Sequence, residues 1–259
     1  PASTPGVLSV AQTQVPGALH YNLSLTEPAD AAQVFTNTSQ VPWAPITDGF
    51  SGELAYGTTQ AEQLGCFVDA TGQPVYELTG DSPYPPGFFE GRVALVDQGV
   101  CDVSVKVHNA AEAGAIAVVV ANNVSGLAPS FSFGGPDPFT ERQTLIVGQE
   151  VGDTLKAQLG GGSPVTVAVD AADAPPLVGS MVATSSRGPN NSEVAIKPEI
   201  GAPGASVSAE PGTGDGGEPF GGTSGAAPMV AGAAALLIEA YPERSPLEIK
   251  SVLMNTAET

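Results

Sequence analysis

The run Gly221 to Gly232 reads Gly-Gly-Thr-Ser-Gly-Ala-Ala-Pro-Met-Val-Ala-Gly, and Ala233 to Ile238 continue it without a polar residue. Two glycines leading into Thr-Ser predict a tight turn that feeds a helix. The helix is apolar on every face, so it is predicted to be buried at the centre of a domain. Ser224 falls in the first turn. There the unbonded N–H groups and the positive end of the dipole favour a developing negative charge. A serine presented there by glycines suits a nucleophile whose own N–H helps hold an oxyanion. Thr-Ser is also an ordinary helix cap, so the local pattern alone leaves both readings open. Pro228 removes the N–H that would bond the Ser224 carbonyl, which is tolerated close to a helix start.

The chain has 259 residues, enough for a large core and two domains. Net charge is −19 with eight Lys plus Arg, which argues against nucleic acid and anionic membranes as partners. No apolar run reads as long enough to span a membrane, and no signal peptide is visible. Residue 1 is Pro, so the numbered chain reads as a processed or excised piece. Cys66 and Cys101 are either two buried thiols or one disulfide. Both flank what reads as one domain, which favours the disulfide and an oxidising compartment. Sequons for N-glycosylation begin at Asn22, Asn37, Asn123 and Asn190.

Residues 1–17 read as a loop and then a strand, Val7 to Thr13. Residues 18–178 differ in character. Short strands are expected at Tyr21–Leu25, Gly52–Tyr56 and Val75–Leu78, with irregular segments at 33–51 and 69–90. Gly91–Asp97, a helix over Val103–Gly114 and Ala115–Asn123 form a βαβ unit with a parallel pair. Further elements are a strand at Leu145–Val147, a helix at Gln149–Leu159 and a strand at Val165–Val169. In residues 179–259, Ala205–Ala209 is a strand and 212–218 a Gly-rich acidic loop. Ser245, Pro246 and Glu248 mark the capped start of a second helix.

The nucleophile stretch resembles the Gly-Thr-Ser-Met-Ala-Ala-Pro-His-Val-Ala-Gly motif of subtilases, the subtilisin-like serine proteases. Gly225 stands where that motif has Met, and Met229 where His is common. Ser3-Thr4-Pro5-Gly6-Val7-Leu8-Ser9-Val10-Ala11, Ser185-Ser186-Arg187-Gly188-Pro189 and Lys197-Pro198-Glu199-Ile200-Gly201-Ala202-Pro203-Gly204 resemble other subtilase segments. The middle of the chain resembles a protease-associated (PA) domain. Gly91-Arg92-Val93-Ala94-Leu95-Val96, Cys101, Lys106-Val107, Asn109-Ala110, Ala113-Gly114-Ala115 and Val119-Val120-Ala121-Asn122-Asn123 carry that likeness. The resemblance implies an α/β subtilisin-like partial domain, a parallel sheet with buried helices, at 1–17 and 179–259. A β-rich α/β PA domain is inserted at 18–178.

The resemblance also implies a secreted serine endopeptidase with Ser224 as its catalytic nucleophile and peptides or proteins as substrate. The Asp and His of the triad, and the oxyanion asparagine, would precede residue 1. His20 and His108 match no family motif and read as structural or surface residues. Without a positioned base, Ser224 in this piece is expected to be silent. Thr223, Ala202, Pro203 and Gly204 read as supports of the site. The PA domain would gate or position substrate. The competing reading is a non-catalytic PA-based binding module on a degenerate protease scaffold.

No α/β-hydrolase G-x-S-x-G surrounds Ser224, and no glycine run has the context of a phosphate loop. No cofactor is certain. Asp170 with Asp173, or Asp215 with Glu218, could hold calcium in the parent, though loop solvation is the simpler account. A subtilase half without its other strands would leave the helix Ala226–Ile238 partly uncovered. The fragment is therefore expected to self-associate through this truncated core, or to be disordered there, while the PA module folds by itself.

Overall fold

The computed structural model describes residues 3–15, 19–41, 43–76, 79–129, 142–182, 184–189, 196–204, 206–209 and 211–258. In chain order the strands are β1 (Val10–Thr13), β2 (Leu23–Glu27), β3 (Gln33–Phe35), β4 (Thr38–Gln40), β5 (Phe50–Tyr56), β6 (Val93–Asp97), β7 (Ala117–Ala121), β8 (Thr144–Val147), β9 (Thr166–Val169), β10 (Ile200–Pro203), β11 (Ser206–Ala209) and β12 (Gly217–Phe220). The helices are α1 (Gln60–Leu64), α2 (Val103–Glu112), α3 (Gln149–Gly160), α4 (Thr223–Ala240) and α5 (Pro246–Thr256). The chain divides into two units, one of residues 1–19 with 176–259 and one of residues 20–175.

The unit of residues 20–175 is built on a sheet in the order β3-β2-β9-β5-β6-β7-β8-β4. Strands β5, β6, β7 and β8 run parallel, and β2, β3, β4 and β9 pair antiparallel. Helix α2 returns the chain from β6 to the parallel β7, as the βαβ pattern requires. Val93 to Val96 and Ala117 to Ala121 are buried along their whole length. That is why both strands read as unbroken apolar runs rather than alternating ones. Ala94, Val96, Val118, Val120 and Ile146 meet Val103, Val107 and Ala110 of α2, with Phe89, Tyr84 and Trp43 closing the cluster.

Two parts of this unit differ from the sequence reading. Segment 33–51, expected to be irregular, holds β3 and β4, each too short for alternation to show. Of the expected strand Val75–Leu78, Glu77 and Leu78 lie outside the described residues. Val75 and Tyr76 are not in a strand, and Pro74 makes only an isolated bridge with Val68. Asn37 is committed on three sides. Its Nδ2 donates to the Gly126 carbonyl (2.9 Å), its Oδ1 accepts from the Ala128 N–H (2.8 Å), and its carbonyl accepts from the Gly148 N–H (3.0 Å).

Cys66 and Cys101 form a disulfide, as favoured from their placement. Lys106 lies against it, fully buried on α2. Its Nζ donates to the carbonyls of Leu64 (2.6 Å) and Gly99 (2.7 Å) and sits 3.4 Å from Cys66 Sγ. A neutral amine has two N–H donors for these two carbonyls. Burial lowers the Lys106 value to about 7, against the opposing pull of Asp97 and Asp102.

In the other unit β1 pairs parallel with β10, from Val10↔Ile200 to Thr13↔Pro203, and β11 pairs antiparallel with β12. Helix α4 packs on β1 and β10, and α5 packs on α4. The α5 cap is the one expected: Ser245 and Glu248 form a capping box, with Pro246 in the first turn. The burial expected of α4 holds only for Gly225, Ala226 and Val230. Leu236 is 69% exposed and Ile238 54%. Among the described residues, two paired strands and one neighbouring helix cover a single stripe of this apolar helix. By length and composition alone α4 could cross a membrane, which corrects the reading that no run is long enough. The core helix of a soluble domain passes the same test.

Lys106 binds a proton in the unfolded chain up to an ordinary value of 10.5, but in the folded chain only up to about 7. The unfolded state thus holds more protons between these values, and stability rises with pH there. Urea unfolding followed by the single tryptophan, Trp43, should show this unit gaining about 2 kcal/mol from pH 7 to pH 9. The gain should vanish in Lys106→Met.

Candidate active site

The start of α4 is set by contacts between backbones. Gly222 precedes the helix with φ 91°, a left-handed conformation suited to glycine. Its carbonyl accepts from the N–H groups of Gly225 (3.0 Å) and Ala226 (3.3 Å). Thr223 and Ser224 are the first two helical residues, so their N–H groups have no intrahelical acceptor. A Cβ on Gly225 would lie 2.2 Å from the Gly204 carbonyl oxygen, and one on Gly204 would lie 2.5 Å from the Gly222 oxygen. The turn after β10 and the turn into α4 therefore touch through main chain alone.

Ser224 is exposed on this platform, and its Oγ has no hydrogen-bond partner among the described residues. Pro228 is inside the helix, so the Ser224 carbonyl lacks its usual donor. Of the expected supports, Ala202 is buried with Ala226 and Val230, Pro203 pairs with Thr13, and Gly204 makes the contact above. Thr223 is exposed. The arrangement offers a hydroxyl, N–H groups without an intrahelical acceptor and a helix dipole at one point, which suits a group that gains negative charge.

Both histidines lie in the other unit: His20 at its edge, and His108 on α2 with its ring 6.1 Å from Phe67. Residues 1–19 and 176–259 contain no histidine. Among the described residues no three His, Cys, Asp or Glu side chains converge on a point. Asp170 Oδ1 accepts from the Ala172 N–H (2.8 Å), as a turn residue does.

Sequence reasoning missed the clasp that steadies this unit. Glu199 accepts from Lys197 and Lys250 and from the Ser9 N–H (2.7 Å). Lys197 and Lys250 also donate to the Val7 carbonyl, at 2.8 and 3.0 Å. One nearly buried carboxylate thus joins the segment before β1, the entry to β10 and α5. Burial alone would raise its value, but the two lysines and the Ser9 N–H pull it from 4.5 to about 2. Lys197 and Glu199 stood out as motif residues, whereas Lys250 carried no signal beyond its place on a helix.

A family model described as the subtilase family matches residues 1–259. The minor extracellular protease Vpr of Bacillus subtilis (strain 168) is 38% identical over 175 residues, covering 65% of this chain and 21% of that protein. The subtilisin-like protease SBT3.9 of Arabidopsis thaliana is 32% identical over 221 residues, covering 80% of this chain and 27% of that protein. The chain thus spans a fifth to a quarter or so of the length of these relatives. Among solved structures, the psychrophilic subtilisin-like protease Apa1 from Pseudoalteromonas sp. AS-11 aligns with a TM-score of 0.37 at 16% identity, over 96% of this chain and 44% of that one.

The depressed Glu199 value means its stabilisation is complete above the ordinary 4.5 and is lost as pH falls toward 2. Hydrogen exchange on peptides covering β10 and α5 should lose protection over that range, by up to about 3 kcal/mol. Glu199→Gln should start lower and show no such acid step. Gly225→Ala places a Cβ against the Gly204 carbonyl, and the same exchange measurement on β1 and α4 should register about 1–3 kcal/mol of destabilisation.

Proposed function

The chain belongs to the subtilase family, and from that footing we propose that Ser224 is the nucleophile of a secreted serine endopeptidase. The observation that carries the reading is Ser224 itself, exposed, with no hydrogen-bond partner for its Oγ among the described residues, in the first turn of a helix whose approach is fixed by main chain. Its Oγ attacks the scissile carbonyl carbon, and a histidine takes the hydroxyl proton. An aspartate orients that histidine. The oxyanion is held by the Ser224 N–H and an asparagine side chain. Collapse breaks the C–N bond, the amine leaves with the proton, and water hydrolyses the acyl-enzyme.

The histidine, aspartate and asparagine are supplied from outside residues 1–259. Support comes from the lack of any histidine in the sequence around Ser224, residues 1–19 and 176–259. The 259-residue chain is therefore silent alone. The inserted segment 18–178 acts as a PA domain that gates or positions the peptide. The parallel β6-α2-β7 unit and its disulfide support that identification. The exposed apolar side chains of α4 support association of the isolated chain with copies of itself. Secretion is supported by the disulfide and by the extracellular protease among its relatives.

A fluorophosphonate probe tests the assignment on the full-length gene product and on residues 1–259. Labelling of the full-length protein alone, abolished by Ser224→Ala, is the expected result. A folded full-length protein that takes no label would favour a binding module on a degenerate scaffold. Labelling of the 259-residue chain would mean that it contains its own base.

A further inference from the structure

The unit of residues 20–175 has a cleft of about 290 Å³ outside the carboxyl ends of β6 and β7, walled by α1 and α3. The carboxyl ends of parallel strands are a recurrent place for small-ligand sites. Its lining is dominated by side-chain amides. Three of them are held by one end only. Gln63 Nε2 donates to the Gly57 carbonyl (3.3 Å), Asn122 Nδ2 to Val124 (2.9 Å) and Gln149 Nε2 to Asn123 (3.5 Å). Each partner is a carbonyl, so the nitrogen must be the committed end of each amide. The three amide oxygens accept no hydrogen bond from the described residues. Gln60 and Asn123 add two further exposed amides at the rim.

The charges of the lining are already paired. Lys156 lies 3.1 Å from Asp97 and 3.3 Å from Asp153, and Tyr56 donates to the other oxygen of Asp97 at 2.5 Å. One negative charge is left in excess, on a chain of net charge −19. That disfavours an anionic ligand. A peptide would need an open strand edge or apolar pockets for its side chains. Strands β6 and β7 are each paired on both sides, and the lining offers only Leu64 and Ala121 as apolar surface. A ligand that fits is compact, uncharged and rich in hydrogen-bond donors. We propose that this cleft binds a neutral, hydroxyl-rich ligand of the size of one sugar ring. Its hydroxyls donate to the free oxygens of Gln63, Asn122 and Gln149, and its own oxygens accept from the rim amides. The assignment is independent of the chemistry at Ser224.

The test uses the ¹⁵N-labelled 259-residue chain, titrated separately with glucose, galactose, mannose and N-acetylglucosamine, and with triglycine as the peptide comparator. At least one monosaccharide should give saturable shifts in the side-chain amide signals of Gln63, Asn122 and Gln149. Gln149→Ala should weaken that binding about fivefold, a typical loss for one neutral hydrogen bond. Gln60→Ala, at an exposed rim position that does not hold the fold, should weaken it less but measurably. The proposal is overturned if no sugar gives saturable shifts, or if neither variant alters them. It is equally overturned if triglycine shifts the same amides as strongly as any sugar.

Discussion

The carbonyl of Gly204 occupies the place where any side chain on residue 225 would begin. The start of α4 depends on that contact, because it lets the turn after β10 and the turn before the helix meet without an intervening side chain. Ser224 is then placed by backbone geometry rather than by the packing of its own hydroxymethyl group. A hydroxyl held this way keeps its hydrogen-bonding capacity open, since nothing about its position requires a partner. The difference from the usual subtilase motif at Gly225 is therefore not a neutral gap. In this chain it is the residue that permits the approach, and a longer side chain would need the two turns to part.

The stability of this unit rests on few groups. Among the described residues its apolar cluster is Ala202, Ala226 and Val230, with Leu8, Val10, Ile200 and Leu253 at the margin, and Ala11, Val182 and Ile249 are also buried. Beside so few described apolar groups, Glu199 and its two lysines carry a larger share of the work. Charged pairs close to the surface are usually weak. Here the carboxylate is almost fully covered, and both lysines also reach main-chain carbonyls, so breaking the set would strand several polar groups at once. The unit of residues 20–175 is organised differently, around strands buried on both faces, and can accommodate Lys106 in its interior by offering two carbonyls to one amine.

What could be read from the chain followed from how local each signal was. The β6-α2-β7 unit was legible because full burial writes continuous apolar runs and α2 repeats its apolar positions at helical spacing. The cap of α5 was legible because Ser245, Pro246 and Glu248 act on their immediate neighbours. Helix α1 could have been read the same way, since Thr59 and Glu62 form a capping box and Gly65 closes the helix in a left-handed conformation. The exposure of α4 was legible only through the resemblance. An all-apolar helix by itself says that cover is needed, and the family likeness says that strands to provide it are missing from these residues. The amide-lined cleft was not legible at all, because α1, the ends of β6 and β7, and α3 are separated by long stretches of chain and each amide alone reads as surface.

Asn37 begins a glycosylation sequon, yet the fold uses both ends of its side-chain amide to hold the loop at Gly126 and Ala128, with Gly148 pressed against Nδ2. In a host that glycosylates, a sugar on Nδ2 would leave that nitrogen one N–H, and the bond to the Gly126 carbonyl would need it. The same amide would then have to serve as attachment point and loop clasp together.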